Sequence, residues 1–132
     1  RLREDPRLPV GTEILDGGSD LLRLADRLTD HSRLVLLDAL LDPGPPGRVI
    51  RLDGALDTPT RGAGSVHALE PLDALRLLRG LVPGFRQVPL VFLGVTITEV
   101  RIRPGLSAAL AERMDDVVGA VLEALASAVP AP

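Results

Sequence analysis

The chain is 132 residues long, which makes one domain with room for a real core but not for two. Its 45% hydrophobic content and mean hydropathy of +0.24 fit a soluble globular protein with an aliphatic interior, while two Phe, no Trp and no Tyr leave almost nothing on which bases could stack. A net charge of −3 argues against a phosphate-binding surface, and the lack of Cys removes disulfides, thiolate nucleophiles and sulfur-ligated metals, so any metal site must use His and carboxylates.

The first residues, Arg1 to Pro6, have no initiator Met and read as the tail of a helix running into a Pro-marked loop, so an upstream segment is expected. A short strand is expected over Thr12–Leu15, after which Asp16-Gly17-Gly18-Ser19 turns the chain into a helix capped by Ser19. That helix would carry Asp20 in its first turn and Leu21, Leu24, Ala25 and Leu28 on one face. The run Leu34-Val35-Leu36-Leu37 then reads as a strand buried on both faces and closed by Asp38. Together these predict a β-α-β unit with parallel strands.

The turn signal Asp42-Pro43-Gly44-Pro45-Pro46-Gly47 leads to a short strand over Arg48–Leu52, which must return antiparallel because the connection is too short for a crossover helix. Residues 53–66, rich in Gly, Pro, Thr and Asp, form the longest loop, and His67 follows it. A helix is predicted over Glu70–Leu81, with Pro71 in its first turn and a stripe of Leu72, Leu75, Leu78 and Leu81. The most apolar strand is predicted over Gln87–Val95, in a central position. A last helix follows Pro104-Gly105, capped by Ser107, with Leu110, Met114, Val117, Val121 and Leu125 as its stripe and Pro130 beyond its end.

Conventional hydrolytic motifs are missing. Gly62-Ala63-Gly64-Ser65 is neither a nucleophile elbow nor a dinucleotide fingerprint, Ser65 with His67 is a weak pair, and Asp57-Thr58-Pro59 carries Pro where an aspartic-protease motif has Gly. All fifteen basic residues are Arg, which excludes Schiff-base and P-loop lysine chemistry. No apolar stretch reaches the roughly 20 residues that span a bilayer, and no leader opens the chain, so a cytoplasmic protein is expected.

Three residues stand out as candidates. Asp38, at the end of a buried strand, lies where α/β sheets bind their ligands, although an Asp starting the next loop would fit the same place. His31 sits between a helix end and a strand start and reads as structural or solvated. His67 reads by itself as a residue at a helix start, but a loop beyond one strand and a residue entering the next helix can meet over one sheet edge. Asp38 and His67 could there share a nickel or zinc ion, although two ligands are too few for a tight site.

Six segments, Ile14-Leu15-Asp16-Gly17-Gly18-Ser19, Val35-Leu36-Leu37-Asp38-Ala39, Pro46-Gly47-Arg48-Val49, Ser65-Val66-His67, Leu93-Gly94-Val95 and Gly105-Leu106-Ser107, resemble in order and spacing those of the hydrogenase maturation proteases. The resemblance implies an α/β fold, a mixed and mostly parallel sheet with helices on both faces, as a single domain over residues 1–132. It implies an endopeptidase that removes the C-terminal extension of the [NiFe] hydrogenase large subunit after nickel insertion. The nickel would arrive with that precursor, zinc or another divalent ion being able to stand in its place. Asp38 and His67 match two of the family's three metal contacts, and Asp16, Gly17, Gly18 and Ser19 match a glycine-rich segment associated with substrate recognition.

The family's opening strand, its Gly-Asn turn and the first carboxylate have no counterpart here, since the chain contains no Asn. The family's first strand would lie between Thr12–Leu15 and Leu34–Leu37. With two ligands of three, the chain as it stands is expected to be inactive. Two other readings remain open at this point: a module that recognises the large subunit without cutting it, and a structural α/β domain in which Asp38 and His67 point apart.

Overall fold

The computed structural model describes residues 1–18, 21–53, 66–100 and 105–127, with side chains at 21, 22, 53 and 66–72 outside the description. Ser19, Asp20, the loop 54–65 with its Ser and Gly motifs, Pro104 and Pro130 therefore lie outside the described residues. Three strands, β1 (Leu34–Leu41), β2 (Val49–Asp53) and β3 (Leu90–Ile97), form a sheet in the order β1-β3-β2. β1 runs parallel to β3 from Leu34 opposite Leu90 to Leu41 opposite Ile97, and β2 runs antiparallel to β3 from Val49 opposite Val95 to Asp53 opposite Val91.

Successive side chains of a strand point to opposite faces, so two apolar faces need two covers. On one face Leu90 and Phe92 pack with Leu28, Leu75, Leu78, Phe85 and Val88, joined by Leu34, Leu36 and Leu40 of β1. On the other, Val91 and Leu93 pack with Val121 and Ala124, joined by Val35 and Val49. The first cover comes from the short helix α1 (Ala25–Leu28), the long helix α2 (Val66–Leu81) and the 3₁₀ turn Pro83–Phe85; the second comes from α4 (Met114–Ala126). The result is three layers, helix, mixed sheet, helix. β3 is the centre of that sandwich, as its unbroken apolar run predicts: it is buried from Leu90 through Thr96.

The final helix starts where predicted, with the Ser107 side chain accepting the Leu110 N–H. It is broken at Arg113 into α3 (Ala108–Glu112) and α4, and Asp115 and Asp116 stand in the first turn of α4, the positive end of the helix dipole. At its far end Ser127 closes the helix against β2 by accepting a hydrogen bond from Arg51 at 3.0 Å.

Four expectations need correction. Thr12–Leu15 is not a strand and pairs with no ladder among the described residues. The helix read from Ser19 onward is, among the described residues, a 3₁₀ turn over Leu21–Leu24 followed by the single α-turn of α1. The run Leu34–Leu37 is not buried on both faces, because β1 is an edge of the described sheet and Leu37 keeps 46% of its surface exposed. Finally, α2 begins at Val66 and not at Glu70, so His67 lies inside its first turn and Pro71 within the helix. Proline has no N–H to give the carbonyl four residues back, which here is that of His67.

Candidate functional site

Asp38 does not end its strand; β1 continues through Leu41. The duty of starting the loop falls to Asp42. Its N–H donates to the Ile97 carbonyl at 2.9 Å, its carboxylate accepts the Gly44 N–H at 2.7 Å, and the Arg48 guanidinium stands 3.4 Å from the same oxygen. Asp38 is thereby left without a turn to make. It is a half-buried acid in the middle of a strand that is otherwise aliphatic.

Alternation along β1 puts the Asp38 side chain on the face of Leu36 and Leu40, the side covered by α2. Its Oδ1 accepts the N–H of Ala39 at 2.8 Å. Its cross-strand neighbour on β3 is Gly94, so no side chain stands beside the carboxylate from that strand. A Cβ at Gly94 would lie 3.3 Å from the Phe92 ring and 3.4 Å from Leu40, so these two side chains already close over the glycine. A carboxylate with one oxygen fixed on an amide keeps capacity to accept a proton or bind a cation.

The turn from β1 to β2 crosses the end of β3 and is clamped there by Thr96, which is fully buried. Its hydroxyl donates to the Pro45 carbonyl and accepts the Arg48 N–H, each at 2.9 Å, while the Gly47 N–H donates to its carbonyl at 2.8 Å. Gly47 has φ +82° and lies so close to Arg113 that a Cβ would fall 2.7 Å from that side chain, so the position demands glycine on two counts. The sheet therefore ends on a stiff rim at the carboxyl ends of β1 and β3.

The first turn of α2 reaches the same end of the sheet by topology. The C-terminal part of α2 is fastened at the start of β3, where Arg79 donates to the Val88 carbonyl at 2.7 Å and lies over the Phe85 ring at 6.0 Å. From there the helix runs back along the sheet face, and its sixteen residues extend for about 24 Å, nearly the length of an eight-residue strand. His67 is thus at the carboxyl-end side of the sheet by backbone position; its side chain lies outside the described residues.

Asp16 and Gly18 form a local turn in which the carboxylate of Asp16 accepts the Gly18 N–H at 2.9 Å and Gly18 adopts φ +56°. The preceding Leu15 packs into the cluster on the α2 side, so this turn belongs to the same face of the sheet as Asp38. Ser19 lies outside the described residues. Among the described residues, no group of three or more His, Cys, Asp or Glu side chains could hold a metal ion.

Sequence reasoning missed Glu13, whose carboxylate takes an ion pair from Arg27 and a contact from His31 Nε2 at 3.0 Å. Nothing local in the sequence marks its partners. His31, which reads from the sequence as structural or solvated, is half-buried beside that carboxylate. A strong charge effect lies remote from all of this: Arg7 grips Asp5 through its side chain and backbone N–H and holds that carboxyl down to about 2.

A three-layer sandwich of helix, mixed sheet and helix, with an acid on the sheet face covered by α2, defines the class, an α/β protein. The family follows from the comparisons. The model of the hydrogenase maturation protease family matches residues 1–124, and the chain belongs to that family of maturation endopeptidases. The fold is similar to the [NiFe] hydrogenase maturation protease HybD from Thermococcus kodakarensis, with 28% identity and a TM-score of 0.73 over 89% of this chain and 80% of that one. It is also similar to the hydrogenase maturating endopeptidase HybD from E. coli, with 25% identity and a TM-score of 0.69 over 89% of this chain and 72% of that one. No match was found among curated proteins. No helix among the described residues is long and apolar enough to cross a membrane.

Proposed function

We propose that this protein removes the C-terminal extension of a [NiFe] hydrogenase large-subunit precursor, and that Asp38 and His67 contact the nickel which that substrate carries. The observation that supports the reading best is the placement of Asp38. It is a carboxylate inside an apolar strand, relieved of turn-making by Asp42 and facing the layer whose helix carries His67 in its first turn. A carboxylate and an imidazole suit a borderline-hard divalent ion, so zinc or another divalent ion could occupy the same contacts.

The chemistry is metal-assisted hydrolysis of a peptide bond in which the ion belongs to the substrate. The protein's own part is to orient. Ala39 fixes one oxygen of Asp38, and the Thr96 clamp holds the strand ends that carry it. A precursor without nickel would offer Asp38 and His67 nothing to hold, which would make metal loading the signal for cleavage.

The test is incubation of the natural full-length protein with a purified precursor, nickel-loaded or nickel-free, with release of the extension followed by mass spectrometry. Cleavage of the loaded precursor alone, lost in Asp38→Ala and His67→Ala, is the expected result. A second reading is recognition without cutting. It would appear in the same experiment as a stable complex with an intact precursor.

A further inference from the structure

The segment Thr12–Gly18 carries the Asp16 turn and lies in no sheet, so its position depends on a few side-chain anchors. Leu15 packs against the core cluster on the α2 side, and the Ile14 carbonyl accepts a hydrogen bond from Arg3 at 3.2 Å. The third anchor is ionic. Glu13 offers one carboxylate oxygen to Arg27 of α1 and the other to His31, which stands between α1 and β1, at 3.0 Å. The Glu13 and His31 side chains are 33% and 28% exposed, sheltered enough for the contact to hold a fixed geometry.

Glu13 is three residues from Asp16, and extended backbone covers about 10 Å in that distance. A grip at Glu13 therefore sets both the direction and the reach of the segment that ends in the turn. Leu15, between them, keeps the turn on the sheet face shared with Asp38. The opposite wall of the grip is His31, three residues before β1 starts at Leu34, so the turn and the strand bearing Asp38 are referenced to one another through His31.

We propose that His31 and Arg27, by holding the Glu13 carboxylate, are positioning residues for the Asp16-Gly17-Gly18 turn, the segment that the family resemblance associates with substrate recognition. This rests on the function proposed above and adds to it the device that aligns recognition with the reacting strand. His31 touches no reacting atom; it acts through Glu13.

The experiment compares His31→Ala, His31→Gln and Glu13→Gln in the natural full-length protein, with Leu28→Ala in α1 as a control for general loosening of the same layer. Two readouts are taken: kcat and KM on the nickel-loaded precursor, and the amide shift and hydrogen exchange of Gly18 by NMR. His31→Ala and Glu13→Gln are expected to raise KM about threefold to tenfold at unchanged kcat and to move the Gly18 amide, the range expected for one charge-assisted contact. His31→Gln keeps an N–H donor and should restore both readouts, and Leu28→Ala should lower Tm without changing KM. The proposal is overturned if KM stays constant in His31→Ala and Glu13→Gln, whether or not the amide moves, or if Leu28→Ala raises KM equally, or if Gln fails to rescue. Should the parent protein cleave no precursor, the function proposed above fails. The Gly18 amide still decides the grip in that case, an unmoved amide in both variants overturning it.

Discussion

β1 and β3 are both mostly aliphatic, Leu-Val-Leu-Leu-Asp-Ala-Leu-Leu against Leu-Val-Phe-Leu-Gly-Val-Thr-Ile, and they pair residue for residue. Yet β3 is buried from Leu90 to Thr96, whereas Leu37, Ala39 and Leu41 of β1 are exposed. The difference is place. β3 has a strand on each side and a helix layer on each face, while β1 has a strand on one side among the described residues. The two sequences diverge most at Asp38 opposite Gly94, and the divergence follows the burial. A charge is tolerable on the half-solvated strand, where it can keep water and satisfy Ala39, and intolerable one strand inward.

The comparison can be broken most forcefully by moving the acid across the pair. Gly94→Asp would bury an unpaired charge against Phe92 and Leu40 and should cost more than about 5 kcal/mol, which is comparable with the whole stability of a domain. Circular dichroism should find the variant unfolded; a folded Gly94→Asp would mean that this face of β3 is wetter than its burial indicates. Next in size, Phe92→Ala should destabilise by about 3–5 kcal/mol in denaturant titrations, since it empties a fully buried ring position. The same truncation on the edge, Leu37→Ala, should cost less than about 1 kcal/mol, because the side chain is already 46% exposed. Equal losses at the two positions would deny that centre and edge differ.

That contrast also marks what could be read from the amino acids. Composition of the runs identified β1, β2 and β3 and the central place of β3, since seven consecutive residues with no charge can only be buried. It could not separate Leu34–Leu37 from Leu90–Leu93, because the edge and the centre of a sheet are set by which neighbours arrive and not by the strand itself. Asp38 was legible as an oddity, but its strand continuing to Leu41 and the loop-starting duty of Asp42 became clear only when both acids had partners. Thr12–Leu15 carries the β-branched Thr12 and Ile14 and lacks, among the described residues, the ladder that would make it a strand. Glu13, His31 and Arg27 are far enough apart in sequence that only folding introduces them.

The smallest effect concerns an acid that, unlike Asp38, has its own cation. Asp5 is held down to about 2 by Arg7, against 3.8 for the free side chain. Because the folded value is the lower one, its contribution to stability is present above about 3.8 and is lost as pH falls through about 2. An NMR titration should place the Asp5 midpoint near 2, and Arg7→Ala should raise it toward 3.8.

The most direct test of the role given to Asp38 is the pairing of stability with cleavage in Asp38→Asn. The amide keeps an oxygen for the Ala39 N–H and the shape of the side chain but loses the charge that would contact a cation. Stability should stay within about 1 kcal/mol of the parent by denaturant titration. In the natural full-length protein, cleavage of the nickel-loaded large-subunit precursor should fall by a factor of about 100 or more. Cleavage at the parent's rate by a folded Asp38→Asn variant would contradict the account, and Asp38 would then be no more than a polar residue on an edge.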